Sequence, residues 1–370
     1  MGERKNDERF QADGANEYKV RPARDDDYGG MKSVWFDAFD NQFFGGPEMY
    51  DSSFEWAFSK NPDRWAGAEM QWVAETNGDI VAAWATMPVM LKTPEGIKRG
   101  HWLHSTAVAT RAQRKGLGRR IYRSIISHND LTFGVGVVNA SRALYKVEGV
   151  NFVRSDIFGE LVMSVPKSCR LCIHLILRAK ISEAVELLKS LIRRAAHSDR
   201  WNNGNVKIER VDAFTDEITP LLAEIEAEIP IMTQRSKVKL NWFLSNPRLT
   251  TEVVVARKSG TISGFAILRS DGMILDLLAR KGDIATIRAL FSHLATWAHD
   301  LGIGRLAGII PSIPEWEAEY RRAGFRIMSV DFGFFVVPTG NSTMDALLID
   351  PENWYLSMAD SDLFTFKLSS

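Results

Sequence analysis

A chain of 370 residues with 45% hydrophobic and 25% charged residues is an ordinary globular protein, and its length predicts two or three domains. Its 46 basic and 46 acidic side chains leave a formal charge of zero, which argues against a dedicated nucleic-acid binder. No apolar run is long enough to span a bilayer, and residues 1–16 are polar without the apolar core of a signal peptide, so they read as a disordered leader on a cytoplasmic protein.

The first element with a distinctive pattern is Trp56-Ala57-Phe58-Ser59-Lys60-Asn61-Pro62. Residues 73–82 then read as a strand, a hairpin turn at Asn77-Gly78 and a second strand. The apolar run 102–108 is a further strand, and it leads into Gln113-Arg114-Lys115-Gly116-Leu117-Gly118-Arg119 and an amphipathic helix with Leu117, Ile121, Ile125 and Ile126 on one face. Two glycines let this backbone approach a ligand, and the first-turn amides of the helix point outward without internal partners, so an anion fits there. Arg114, Lys115, Arg119 and Arg120 surround a helix start, where the dipole gains little from cations, so an anionic partner explains them better than helix stability. The spacing matches neither the P-loop nor the dinucleotide fingerprint. Residues 131–138 read as the next buried strand and residues 139–149 as a short helix ending Leu144-Tyr145 before Gly149.

Residues 166–204 form a helical linker in which Lys167, Arg170, Arg178, Lys180, Lys189, Arg193 and Arg194 outnumber Glu183 and Glu186, as on the solvated face of a connecting helix. Cys169 and Cys172 have no second pair to complete a zinc site and no βαβ context for redox chemistry, so they read as incidental thiols in a reducing compartment. Beyond the linker the first half recurs. Residues 255–264 repeat the hairpin 73–82, Trp242-Phe243-Leu244-Ser245-Asn246-Pro247 repeats the Trp56 element one residue shorter, and Tyr320-Arg321-Arg322-Ala323-Gly324 parallels Tyr145-Lys146-Val147-Glu148-Gly149. Three elements in one order indicate a duplication. The second copy has no Gly-x-Gly: its strand 274–279 runs into Arg280-Lys281-Gly282-Asp283, with Asp283 an N-cap, so the anion site is lost there.

The stretch Val108-Ala109-Thr110-Arg111-Ala112-Gln113-Arg114-Lys115-Gly116-Leu117-Gly118 resembles motif A of the GNAT acyltransferase superfamily, and Asn139-Ala140-Ser141-Arg142-Ala143-Leu144-Tyr145 with Gly149 resembles its motif B. The resemblance implies an α/β protein with a mixed sheet of the α+β type, built as two tandem GNAT-like domains: 17–165 with an acyl-CoA site, 166–204 the linker, and 205–370 degenerate. It implies an N-acyltransferase that moves an acyl group, most often acetyl from acetyl-CoA, directly to a small-molecule amine in a ternary complex, with no metal and no nucleic acid. On that resemblance Val108, Ala109, Thr110, Gln113, Arg114, Lys115, Gly116, Leu117, Gly118 and Arg119 hold the cofactor, Asn139 contacts pantetheine, and a backbone amide near Val108 polarises the thioester carbonyl.

Tyr145 matches the family's proton donor to the departing sulfur, and a free pKa of about 10 keeps such a phenol protonated. The acid that the family often carries on the preceding strand is replaced by Leu103-His104-Ser105-Thr106. That leaves His104 as candidate base, His101 as a weaker one on the other face, or a water chain with no dedicated base. Strand alternation puts His104 with Thr106 and Val108, opposite Ser105 and Ala107.

The two Trp elements together with residues 353–362 resemble tandem GNAT proteins encoded with bacterial surface-polysaccharide synthesis. This implies an amino sugar or another amine on a glycan precursor as acceptor, bound in the cleft between the copies. Two alternatives stay open: a FemAB-like aminoacyl transferase using tRNA, which needs no pyrophosphate loop, and a non-catalytic module that binds CoA or a sugar nucleotide. Acyl length, oligomeric state and the roles of Asp360 and Asp362 are not legible at this level.

Overall fold

A computed structural model of the chain describes residues 18–39, 46–136, 139–153, 157–162, 180, 181, 184, 185, 188, 205–311, 314–329 and 333–360. The leader, Cys169 and Cys172, most of the linker and Asp362 lie outside the described residues. In chain order the first half contains β1 (Lys19–Pro22), α1 (Tyr28–Ala38), α2 (Pro47–Phe54), β2 (Gln71–Thr76), β3 (Asp79–Thr93), β4 (Gly96–Val108), α3 (Leu117–His128), β5 (Thr132–Gly134), α4 (Asn139–Val147), β6 (Asn151–Phe152) and β7 (Ile157–Val162). The second half contains β8 (Val206–Arg210), α5 (Thr219–Glu228), β9 (Ile231–Thr233), α6 (Lys237–Leu244), β10 (Thr251–Lys258), β11 (Thr261–Arg269), β12 (Ile274–Ala279), α7 (Ile284–Asp300), β13 (Arg305–Ile309), α8 (Pro314–Arg322), β14 (Arg326–Ser329), β15 (Phe335–Val336), α9 (Ser342–Ile349) and β16 (Trp354–Tyr355). Among the described residues no helix is long and apolar enough to cross a membrane.

The duplication is visible in backbone detail. The β2–β3 turn places Asn77 and Gly78 at φ 50° and 85°, and the β10–β11 turn places Ser259 and Gly260 at 53° and 85°. Two consecutive left-handed residues make the turn whose twist suits a two-residue hairpin. Both hairpins also carry a bulge at the same place, at Ala74/Glu75 and at Ala256/Arg257.

The sheets then exchange strands. The first runs β1-β2-β3-β4-β5-β15-β6, so β15 of the second half lies between β5 and β6. The second runs β8-β10-β11-β12, meets β13 through the bridge Met273–Ala307, and continues β13-β7-β14 with β7 of the first half inserted. Gly134 makes room for the exchange: a Cβ there would lie 2.5 Å from the Phe335 ring. On β7, buried Glu160 accepts from Arg305 at 2.7 Å and from Arg326, tying the exchanged strand to both of its neighbours.

The repeated Trp elements form the joint between the copies. Trp56 and Trp242 stack in parallel with ring centroids 4.3 Å apart. Each indole Nε1 donates to the other residue's carbonyl, at 2.8 and 2.9 Å. A pseudo-twofold relation follows from this reciprocity. Around it one apolar core runs from α1 and α2 through Trp102, Phe334 and Trp354 into the second half. A separate core lies on the other face of the first sheet, where α3 buries Leu117, Ile121, Tyr122 and Ile125.

Candidate active site

Strands β4 and β5 pair in parallel at His101–Thr132, Trp102–Phe133 and Leu103–Gly134, and then part. β4 continues to Val108 paired with β3 alone, so among the described residues the stretch 105–108 has no strand on its other side. Ala109 N donates to Val81 O at 2.9 Å, and alternation along the strand therefore turns the amide and carbonyl of Val108 the other way, into the notch. The predicted run 102–108 is thus the end of a longer strand.

A bulge interrupts this edge. Ala83 opposes Ala107 and Ala85 opposes His104, so Ser105 and Thr106 together face Trp84. Ser105 has φ 52°, and Trp35 Nε1 donates to its carbonyl at 2.7 Å. The simple alternation expected for residues 104–108 is therefore corrected. His104 lies on the α1 face with Trp102 and Ala107, whereas Thr106 and Val108 face α3. One inserted residue moves every later side chain to the opposite face.

At the end of β4 the chain makes the predicted loop. Gln113 Nε2 donates to Val108 O at 3.2 Å, and Asp37 accepts from Thr110 N at 2.9 Å and Thr110 Oγ1 at 3.2 Å. Gly116, at φ 74°, is the N-cap of α3 and provides no side-chain cap. The amides of Leu117, Gly118 and Arg119 are the first-turn donors that a helix leaves without internal partners. A Cβ on Gly118 would meet no atom of the described residues within 4 Å, so packing does not demand glycine there.

The basic residues around this start also have partners inside the protein, which sequence did not reveal. Lys115 Nζ bonds Tyr18 Oη at 2.6 Å, Arg120 bonds Tyr18 O at 2.7 Å, and Arg119 pairs with Glu148 beside Arg123. Arg114, at φ 63°, is exposed in the loop. Tertiary ion pairs thus account for part of a cluster that helix energetics alone could not explain.

Tyr145 projects from α4 toward Thr106 on the edge of β4 beyond the β5 pairing. Its ring is buried between Phe335, at 4.4 Å between centroids, and Tyr122, at 5.5 Å. Burial pushes its pKa well above the ordinary phenol value, so it is protonated at neutral pH. Asn139 begins α4, but its side chain is outside the described residues. His104 is buried with its edge toward Phe58, and its Nδ1 shares a hydrogen bond with Ser105 Oγ.

His101 lies within the paired stretch, 3.0 Å from Thr86 Oγ1, away from the notch. Burial lowers its pKa to about 4, below the unfolded value near 6.5. Its contribution to stability is therefore complete above pH 6.5 and is lost as pH falls toward 4, because only the unfolded chain takes up the proton in that window. His101→Gln is expected to flatten the fall in unfolding free energy between those two pH values, measured by urea denaturation.

The corresponding notch of the second copy is occupied. Beyond the Met273–Ala307 bridge, the free edge of β12 meets the C-terminal segment: Ala359 N donates to Leu275 O and Tyr355 Oη to Leu277 O, both at 2.9 Å. Asp276 opposes Ile267 on β11 as His104 opposes Ala85 on β3. That acid is committed: Arg235 Nε donates to it at 2.9 Å and Tyr355 Oη at 2.6 Å, while the two Arg235 terminal nitrogens reach Asp360 at 3.0 Å. Asp360 thus serves the plug. Asp283 caps α7 as predicted, accepting from Thr286 N at 3.2 Å and Thr286 Oγ1 at 2.8 Å. Sequence reasoning missed Arg235 and Asp276, and no local pattern announces them. Among the described residues no group of three His, Cys, Asp or Glu side chains could hold a metal.

No protein-family model and no curated protein matches the chain. Solved structures do. A conserved Enterococcus faecalis protein described as a probable N-acyltransferase aligns with a TM-score of 0.59 at 10% identity, over 86% of this chain and 72% of that one. Eis1 from Mycobacterium abscessus aligns at 0.53 and 14% identity, over 90% and 76%. A GCN5-related N-acetyltransferase from Kribbella flavida aligns at 0.52 and 13%, over 78% of this chain and 63% of that one. At such identities the likeness is one of fold. The chain is a mixed α/β protein with the fold of these GCN5-related N-acetyltransferases, and its two halves repeat the sheet, the hairpin and the notch.

Proposed function

We propose that the protein is an N-acyltransferase that moves an acetyl group from acetyl-CoA to a small-molecule amine, and that its donor site is the notch of the first copy. One observation carries this reading: among the described residues, a strand edge without a neighbouring strand ends at an uncapped helix start and has a buried tyrosine side chain toward it in the first copy, while the chain's own residues fill the equivalent edge in the second. The extended arm of the donor adds beside residues 104–108, its pyrophosphate sits on the amides of Leu117, Gly118 and Arg119, and Val108 N steadies the oxyanion. Asn139 completes the arm's contacts. The amine nitrogen bonds to the carbonyl carbon, the C–S bond breaks, and sulfur takes the electron pair and the proton of Tyr145. We assign His104, at the start of the edge, as acceptor of the amine's proton.

The copies are 17–165 and 205–370, joined by the linker, with each sheet closed by a strand from the other. The Trp elements that suggested an amino-sugar acceptor form the inter-copy joint, so they support that acceptor only through resemblance; amino sugars head the panel of amines to screen.

Calorimetry should find one acetyl-CoA per chain. Gly118→Val is expected to abolish binding while leaving the fold intact; at Gly116 the positive φ would add backbone strain to any valine variant. Asp283→Ala is expected to cost about 1 kcal/mol of stability as a lost cap and to leave the stoichiometry at one. Two sites per chain would overturn the assignment of the notch. Thermal melting with acetyl-CoA, longer acyl-CoAs and tRNA in parallel discriminates the reaction class, because a ligand of the native state raises the midpoint.

A further inference from the structure

The first notch is not built by the first copy alone. β15 comes from the second copy, and its Phe335 opposes Gly134 on β5 and Phe152 on β6. With no Cβ at Gly134, the Phe335 ring lies flat enough to reach Tyr145, centroids 4.4 Å apart and planes inclined by 34°. Phe335 is 1% exposed and Tyr145 4%. The contacts form one line: exchanged strand, Phe335, Tyr145, Thr106, edge of β4 beyond the β5 pairing. Tyr122 reaches the same ring from α3 at 5.5 Å, so Phe335 and Tyr122 are two aromatic contacts that hold Tyr145 from different elements.

We propose that Phe335 is a positioning residue for the transfer reaction, and that the second copy contributes it in place of a donor site of its own. The proposal rests on the reading of Tyr145 as proton donor to the leaving sulfur. In that step the C–S electron pair goes to sulfur together with the phenolic proton, and the phenolate regains a proton from solvent. The donation is sensitive to the direction of the Cζ–O bond, and two rings set that direction. A leucine at 335 keeps the strand's apolar register and removes the flat ring.

The test is a double-mutant cycle on single-turnover acetyl transfer, with acetyl-CoA as donor and glucosamine as probe amine. Phe335→Leu should slow transfer about tenfold, and acetyl-CoA affinity should hold. In the Tyr145→Phe background the same change should cost less than about twofold, since no proton donor remains to be aimed. Equal slowing in both backgrounds would mark Phe335 as mere packing and overturn the proposal. A Tyr145→Phe rate equal to that of the parent would sink the donor assignment itself, and with it the role of Phe335.

A second measurement needs no acceptor. The chain has 7 tyrosines, so ring-labelled tyrosine gives a tractable NMR spectrum in which Tyr145→Phe identifies the Tyr145 signal. Phe335→Leu should shift or split that signal. Phe325→Leu, an equally buried change against Tyr320 in the second copy, should leave it in place. An unmoved Tyr145 signal in Phe335→Leu would overturn the proposal whatever the kinetics show.

Discussion

Tyr145→Phe is expected to slow single-turnover acetyl transfer roughly a hundredfold and to leave acetyl-CoA affinity almost unchanged. The substitution keeps the ring that packs between Phe335 and Tyr122 and removes only the hydroxyl that reaches Thr106. Its structural cost is at most one hydrogen bond, about 1 kcal/mol net. Single-turnover measurement matters because slow product release would hide a loss in the chemical step. The pH profile offers an independent sign. Burial raises the Tyr145 pKa, so the acid form persists where an exposed phenol would ionise, and transfer by the parent protein should show no alkaline limb from this group at pH 10. A rate unaffected by the substitution would reduce Tyr145 to a packing residue, the role Tyr320 has against Phe291 and Phe325 in the second copy.

The largest loss of stability should come from Arg235→Met. Arg235 is 5% exposed and holds Asp276 and Asp360, which are 1% and 2% exposed. Removing its charge leaves two carboxylates buried together without a counter-ion, and breaking a buried ion pair in this one-sided way costs about 3–5 kcal/mol. Urea unfolding should show a fall of that size. Adding Asp276→Asn and Asp360→Asn should restore a substantial part of it, because the uncompensated charges are then gone. A loss within about 1 kcal/mol for Arg235→Met alone would mean that the network does not close the second notch.

Much of this architecture was legible in the chain because it rests on local signals. Asn77-Gly78 and Ser259-Gly260 specify their hairpins through left-handed φ at adjacent residues, and the structure has those angles. Asp283 announces a cap through its distance from Thr286, and Gly116 announces a helix start. The duplication followed from such elements recurring in order, while the mixed α/β class was what the resemblance of residues 108–118 and 139–149 implied. Each depends on residues a few positions apart, whose interactions survive whatever surrounds them.

Other features were decided only when the chain folded back on itself. A two-residue strand such as β15 has no periodicity to show which sheet it joins, so the exchange with β7 depends on the space above Gly134 and on Glu160 meeting Arg305 and Arg326. The face occupied by His104 turned on a bulge that exists only because β4 has one more residue than β3 across from it. Arg235, Asp276 and Asp360 lie far apart in sequence and none is distinctive alone; their charges became a structural clamp because desolvation makes an unpaired charge intolerable and forces the three together. Local chemistry set the parts of the first notch. Burial and long-range pairing decided which parts meet there.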